Sequence, residues 1–276
     1  MPRQAIALLV HKDAAQINTL IKILEPDFDL YIHIDRKSGL QPHHIAAKNV
    51  WKEYKVHWGG YDMVEATVFL YRKIVDSNIP YTHVILLSGD SLPVKTNEFI
   101  STHLSANQGV SFIENNLANP LYLDRRRYIW YNGDFKIKAK GLNKLKNPFR
   151  IIRTIQKAFN WKRSTKGFER SGSQWTILSI DHVKHLLANC PFHEYKFMAV
   201  PDECFVQNHF TNFRLPYNDN LIYAHWPDKR LASPDFIDEK MFQTLTRGKY
   251  LFARKFEAGA ERFMKQIMTE HLPGRY

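Results

Sequence analysis

Cysteine is nearly missing from this chain of 276 residues, with Cys190 and Cys204 as its two thiols. That excludes a disulfide framework and fits a reducing compartment. No apolar run approaches the ~20 residues that span a bilayer. The start, Met1-Pro2-Arg3-Gln4, leads directly into the apolar run Ala5–Val10, without the charged, apolar and small-residue regions of a secretory leader. The expectation is a cytoplasmic protein. Several chemical signatures are missing too. The chain has no Gly-x-x-x-x-Gly-Lys-Ser/Thr, no Gly-x-Gly-x-x-Gly, no Gly-x-Ser-x-Gly and no His-Glu-x-x-His. Its thirteen histidines are scattered, and no Cys/His spacing suggests zinc. The one Asp-x-Asp string, Asp27-Phe28-Asp29, precedes a strand-like run instead of ending one. It reads as a loop on the edge of a sheet away from any nucleotide.

Charge is abundant and unevenly distributed. From Leu121 to Arg170 there are 15 Lys/Arg against three acids, an excess of +12 that equals the net charge of the whole chain. A concentrated basic stretch suits a phosphate-rich partner such as an anionic lipid, a phosphorylated substrate or a nucleic acid, and it is also compatible with a solvated face. No nucleic-acid-binding module is recognisable, so nucleic acid is not expected as a partner. Between Pro148 and Trp161 apolar residues recur at helical spacing among Arg150, Arg153 and Lys157. Two readings stay open there: a basic amphipathic helix on an anionic membrane surface, or a core-packed helix with a basic outer face.

The first half alternates strand and helix patterns. Ala5–Val10, Leu30–Ile34, Tyr54–His57 and His83–Leu87 read as strands. Asp13–Leu24 and Tyr61–Val75 read as helices, with a short helix behind Pro42. Such alternation predicts an α/β fold with a mainly parallel sheet flanked by helices on both faces. We expect one domain over residues 1–276, with 115–170 as a basic insertion beside the active site. A strand at Gln174–Leu178, helices at Asp181–Ala188 and Glu203–Phe210, a strand at Leu221–Trp226 and two helices after Asp238 complete the expectation.

Four polar or glycine-containing turns stand out: Val10-His11-Lys12, His33–Lys37, His57–Tyr61 and Leu87–Thr96. Each follows an apolar run, so all four are expected along one sheet edge, where a nucleotide would lie. Without an acidic metal pair, Lys or Arg must offset a diphosphate, and Lys255 is a candidate. Pro201-Asp202-Glu203 sits just before an apolar, helix-like run. Such a turn either caps a helix or aims a carboxylate into a cleft.

Seven segments follow one another in order: Val10-His11-Lys12, His33–Ser38, Trp58-Gly59-Gly60, Leu87–Thr96, Gly172-Ser173-Gln174-Trp175, Pro201-Asp202-Glu203 and Leu251–Phe256. Together they resemble the branching β-1,6-N-acetylglucosaminyltransferases, the core-2 and I-branching enzymes, a family that includes peptide O-xylosyltransferases. The resemblance runs from about Ile6 to Phe256. It implies a GT-A-like, Rossmann-type fold and an inverting, metal-independent transfer of a sugar from a UDP-sugar, with no cofactor. N-acetylglucosamine is the expected sugar, with xylose and glucose as alternatives. It implies Glu203 as catalytic base. It implies Val10, His11 and Asp35 around the uridine, and Lys255 at the diphosphate with Arg254 and Arg230 as further cations. The family's second diphosphate cation, an arginine upstream of the lysine, falls near Leu231–Asp235, so Lys229 or Arg230 would substitute. Trp175, Tyr223 and His225 are the implied acceptor-side residues. Animal members carry a membrane anchor and many cysteines. This chain therefore resembles a bacterial cytoplasmic relative, acting on a glycan or lipid-linked saccharide acceptor.

Overall fold

The computed structural model describes residues 3–130, 148–211, 219–228 and 233–264. Its centre is a five-stranded sheet in the order β3-β2-β1-β4-β8. The strands are β1 (Arg3–Val10), β2 (Asp29–Ile34), β3 (Asn49–Trp51), β4 (Tyr81–Ser88) and β8 (Ile177–Ser179). All pair in parallel except β8, which runs antiparallel to β4.

β1 shows why this sheet needs two covering layers. Successive side chains of a strand point to opposite faces. Ile6, Leu8 and Val10 therefore pack with Ile17, Leu20 and Leu24 of α1 (Ala14–Leu24), with Ile100 and Leu104 of α3 (Asn97–Ala106), and with Phe242 of α8 (Glu239–Arg247). Ala5, Ala7 and Leu9 pack on the other side with Val64, Leu70 and Ile74 of α2 (Tyr61–Asp76), with Val183 and Leu186 of α6 (Ile180–Asn189), and with Phe205 of α7 (Phe205–His209). Each of the larger buried side chains, Val, Leu, Ile or Phe, contributes roughly 1.5–3 kcal/mol. Side chains cap the helix starts. Asp13 accepts from the Gln16 amide at 3.0 Å, and Thr96, Ser179 and Asp238 do the same for α3, α6 and α8. The expected α/β architecture, a mainly parallel sheet flanked by helices, is the one observed.

A second, three-stranded sheet continues directly from β4. It has the order β5-β10-β9, with β5 (Ser91–Pro93), β9 (Ile222–Ala224) and β10 (Phe252–Arg254). β10 runs antiparallel to β5, which sets Arg254 opposite Ser91 at the end of the central sheet. A short pair, β6 (Asn116–Leu117) with β7 (Arg170–Ser171), lies next to α4 (Pro120–Arg127) in sequence. α5 (Pro148–Ala158) belongs to the basic stretch, whose residues 131–147 lie outside the described ones. Among the described residues no helix is long and apolar enough to cross a membrane.

Three expectations need correction. The third strand lies at Asn49–Trp51, paired with β2, and not at Tyr54–His57. Side chains capture that later backbone instead: His33 Nε2 accepts from the Tyr54 amide at 3.0 Å, and Asp35 Oδ1 from Val56 at 3.0 Å. The tail is not helical throughout, because after α8 it forms β10, whose Phe252 and Ala253 are fully buried between strand partners, and residues 265–276 lie outside the described ones. The helix expected from Glu203 starts two residues later. Pro201–Glu203 is a 3-10 turn closed by the Cys204 amide on the Pro201 carbonyl at 3.2 Å, and Asp202 does not cap α7.

Candidate active site

The parallel strands β1, β2 and β4 end on the same edge, and the turns that follow them knit together there. The Asp35 amide donates to Val10 O at 2.8 Å, and Gly89 N to Leu9 O at 3.1 Å. Val10 itself has its side chain in the core, so only its backbone is presented at this edge. His11 is exposed at the rim. Desolvation by the surrounding protein and the neighbouring Lys12 ammonium lower its imidazole below the ordinary histidine value, against the opposing pull of Asp90 and Asp35. Asp35 Oδ1 accepts from the amides of Lys37 at 2.9 Å and Val56 at 3.0 Å. Its Oδ2 stands 3.8 Å from Lys37 Nζ. The carboxylate thus staples two loops together beside the end of β1.

Arg254 reaches this edge from the second sheet. Its Nε donates to Ser88 Oγ at 3.0 Å and its Nη2 to Asp90 Oδ1 at 3.2 Å, while its guanidinium lies 4.6 Å from the Trp175 ring centroid. Burial alone would raise the Asp90 carboxyl. Arg254, the Ser88 hydroxyl and Lys12 outweigh it and hold Asp90 below the usual carboxylate range. The next residue, Lys255, turns elsewhere: its Nζ donates to Ser233 Oγ at 3.2 Å and lies 4.4 Å from the Phe236 ring centroid. The arginine, and not the lysine, faces the strand ends. Arg230 and Lys229 lie outside the described residues.

Glu203 is half-buried in its 3-10 turn, and its Oε2 accepts from Arg125 Nη1 at 2.7 Å. Arg125 comes from α4 and stacks its guanidinium 3.8 Å from the Tyr122 ring centroid. Desolvation, followed by the adjacent Glu203 charge, raises the Tyr122 phenol above its ordinary value. The turn is held from behind. Val200, just before Pro201, adopts φ 52°, a left-handed conformation that a β-branched residue rarely takes. Its amide donates to Gly59 O at 3.0 Å, in the turn between His57 and α2. That turn is fixed in turn by the His57 amide on Asp62 Oδ1 at 2.8 Å and by a His57 Nδ1–Asp62 Oδ2 contact. Asp202 is buried and its Oδ1 has no hydrogen-bond partner among the described residues. Burial first, then the Glu203 charge, push this carboxyl up to about 7.

One short segment joins the two groups. The Gly172 amide donates to Glu203 O at 2.9 Å, and Trp175, three residues on, lies under Arg254. Three extended residues span at most ~10 Å. The Glu203 turn and the Arg254 cluster at the strand ends are therefore tied together by one short segment. Position 172 must be glycine for this approach, since a Cβ there would stand 1.9 Å from Glu114 O. On the second sheet, Tyr223 of β9 and His225, just beyond its end, meet. The Tyr223 hydroxyl is 3.3 Å from His225 Nδ1, and Tyr250 packs on the Tyr223 ring with centroids 5.0 Å apart.

The structure thus gathers Asp35, His11, Arg254 and Trp175 at the strand ends, links the Glu203 turn to them through Gly172–Trp175, and turns Lys255 toward Ser233. It adds Arg125 and Tyr122, which carry no motif, and gives Asp90 and Lys12, named in the sequence only as members of turns, a shared place beside Arg254. The partner of Asp90, Arg254, comes from a strand 164 positions away, which no local pattern reveals. Arg125 gave no local signal, being the first of three consecutive arginines and 78 positions from its partner. Asp27 and Asp29 lie at the opposite sheet edge, where Asp29 starts β2 and contacts Arg3 at 2.5 Å.

A family model described as Core-2/I-Branching enzyme matches residues 5–246, ending short of Arg254 and Lys255. The chain is 23% identical over 95% of its length to "Xylosyltransferase oxt" of Drosophila melanogaster, covering 32% of that protein. It is 24% identical over 99% of its length to "Xylosyltransferase 2" of Homo sapiens, covering 34% of it. The chain therefore spans about a third of the length of these curated relatives. Among solved structures, a crystal structure of 4-diphosphocytidyl-2C-methyl-D-erythritol synthase aligns with a TM-score of 0.34 and 10% identity over 68% of this chain and 80% of that one, a likeness from which no function follows.

Proposed function

The chain belongs to the Core-2/I-branching enzyme family, and from that premise we propose that it is an inverting glycosyltransferase using a UDP-sugar and a glycan or lipid-linked saccharide hydroxyl. N-acetylglucosamine is the proposed sugar. The acceptor oxygen attacks the anomeric carbon on the side opposite the nucleotide, and the bond from that carbon to the diphosphate breaks. Glu203 takes the hydroxyl proton, so the products are an inverted glycoside, UDP and a protonated carboxyl. Positioned general-base catalysis of this kind contributes roughly 10²–10⁴-fold.

Arg254 offsets charge on the departing diphosphate, with Lys255 and Arg230 as further cations. His11 and Asp35 border the uridine, with the Val10 backbone beside them. Trp175, Tyr223 and His225 receive the acceptor. The reaction is proposed to run without a divalent metal and on the cytoplasmic side. In favour of the first point, the fixed cation Arg254 stands at the strand ends and the Asp27–Asp29 pair lies at the other edge.

One observation carries the reading. A half-exposed carboxylate, Glu203, is fixed by Arg125 at 2.7 Å and joined through Gly172–Trp175 to the cation-bearing strand ends. The test is a panel of UDP-sugars offered with saccharide acceptors, with and without chelator. Transfer that survives chelation and inverts the anomeric centre is expected. A strict divalent-ion requirement would overturn the metal-free step, and no transfer or hydrolysis from any donor would overturn the enzyme reading.

A further inference from the structure

We propose that the outward face of α5, with Trp161 beyond it, is a docking surface for anionic lipid. A surface helix normally turns its apolar stripe to the core and its polar side to water. Here Phe149 does stack inward on Phe197, but a second apolar stripe faces outward. Toward the protein, Gln156 is fully buried, and its Oε1 accepts from the Ile129 amide at 2.8 Å. Arg153 sets its guanidinium 3.7 Å from the Trp130 ring centroid. Toward solvent stand Ile151 and Ile155, 49% and 48% exposed, then Phe159 at 80% and Trp161 at 62%. Ile151, Ile155 and Phe159 are four residues apart, so they form one stripe along the helix and its end.

The surrounding charge selects the partner. Residues 148–166 hold six Lys/Arg and no acid. Lys157, Lys162 and Lys166 are exposed, whereas Arg163 is consumed internally by the carbonyls of Tyr128 at 3.0 Å and Phe197 at 2.6 Å. An apolar stripe ending in tryptophan and flanked by lysines matches the boundary between acyl chains and anionic headgroups. A second copy of this chain would bring like charge against like.

Sedimentation of the full chain with phosphatidylglycerol-rich vesicles, against pure phosphatidylcholine vesicles, tests this. Binding to the anionic vesicles is expected, weakening as salt is raised. The double variant Ile155→Ser, Phe159→Ser should lose about tenfold or more in partitioning. Lys162→Glu with Lys166→Glu should lose roughly fivefold or more per lysine. Both variants alter exposed residues only, and unchanged circular dichroism would show that the fold survives. Trp161 fluorescence should be quenched by brominated lipid. Three results would each overturn the proposal: no partitioning, partitioning unaffected by the serine variant, or a wild-type dimer that this variant dissociates. The outcome does not depend on the sugar-transfer assay.

Discussion

Gly172→Ala should damage stability and catalysis together, because the amide of this glycine holds the Glu203 turn against the segment that leads to Trp175 and the strand ends. An added Cβ would stand 1.9 Å from Glu114 O, 2.7 Å from Glu114 C and 3.1 Å from Gln207 Nε2. The first two atoms are backbone and cannot rotate away. Either Glu114 or the 172–175 segment must move by more than an ångström, and the Gly172–Glu203 hydrogen bond of 2.9 Å goes with it. Overpacking of this kind costs about 1–3 kcal/mol and the lost hydrogen bond about 1 more. For a chain of this size that corresponds to a melting temperature lower by roughly 4–10 °C. A displacement near 1 Å at the proposed base, Glu203, should also cost about 100-fold in rate. Differential scanning fluorimetry gives the first quantity, and transfer measured well below the melting temperature gives the second. Gly39→Ala is the control, since nothing lies within 4 Å of its added Cβ. A Gly172→Ala protein that melts with the wild type would refute the close approach on which the site's geometry depends.

Arg125→Leu should lower kcat by roughly 10–100-fold, because the charge-assisted hydrogen bond that orients Glu203 disappears. The UDP dissociation constant should stay put, Arg125→Lys should recover part of the loss, and wild-type turnover in the leucine variant would count against a positioning role. Asp202 gives a pH signature. Its carboxyl sits at about 7 in the folded chain and near 4 in an unfolded one. Between those values the unfolded chain has released the proton and the folded chain still holds it, so stability falls as pH rises through this window. Asp202→Asn should remove that slope, gaining on the wild type in melting temperature from about pH 4 to about pH 7. A difference that does not vary with pH would show that Asp202 is not a buried, proton-holding carboxyl.

Where sequence reading succeeded, the signal was local. β1 is an unbroken apolar run, and α1 carries Ile17, Leu20, Ile21 and Leu24 at helical spacing behind the Asp13 cap. Both were legible, and with them the strand edge where His11, Asp35 and Asp90 meet. The failures were non-local. Tyr54–His57 alternates like a strand, yet His33 and Asp35 hold its backbone where a ladder would. β10 is three residues long and exists because β5 and β9 flank it, so no period within Phe252–Arg254 could reveal it. The same strand decides between neighbours: Arg254 meets Asp90 and Lys255 meets Ser233, a choice that depends on pairing and not on composition. Arg125 belongs with these, since its importance comes from a partner carried on a distant turn.

The central claim is that the carboxylate of Glu203 removes the acceptor proton. Glu203→Gln keeps the size and polarity of the side chain but cannot accept that proton. Sugar transfer and calorimetric UDP binding should be measured side by side on this variant. Transfer should fall by about 100-fold or more, with nucleotide affinity essentially unchanged. Near-normal transfer by the glutamine variant would contradict the claim.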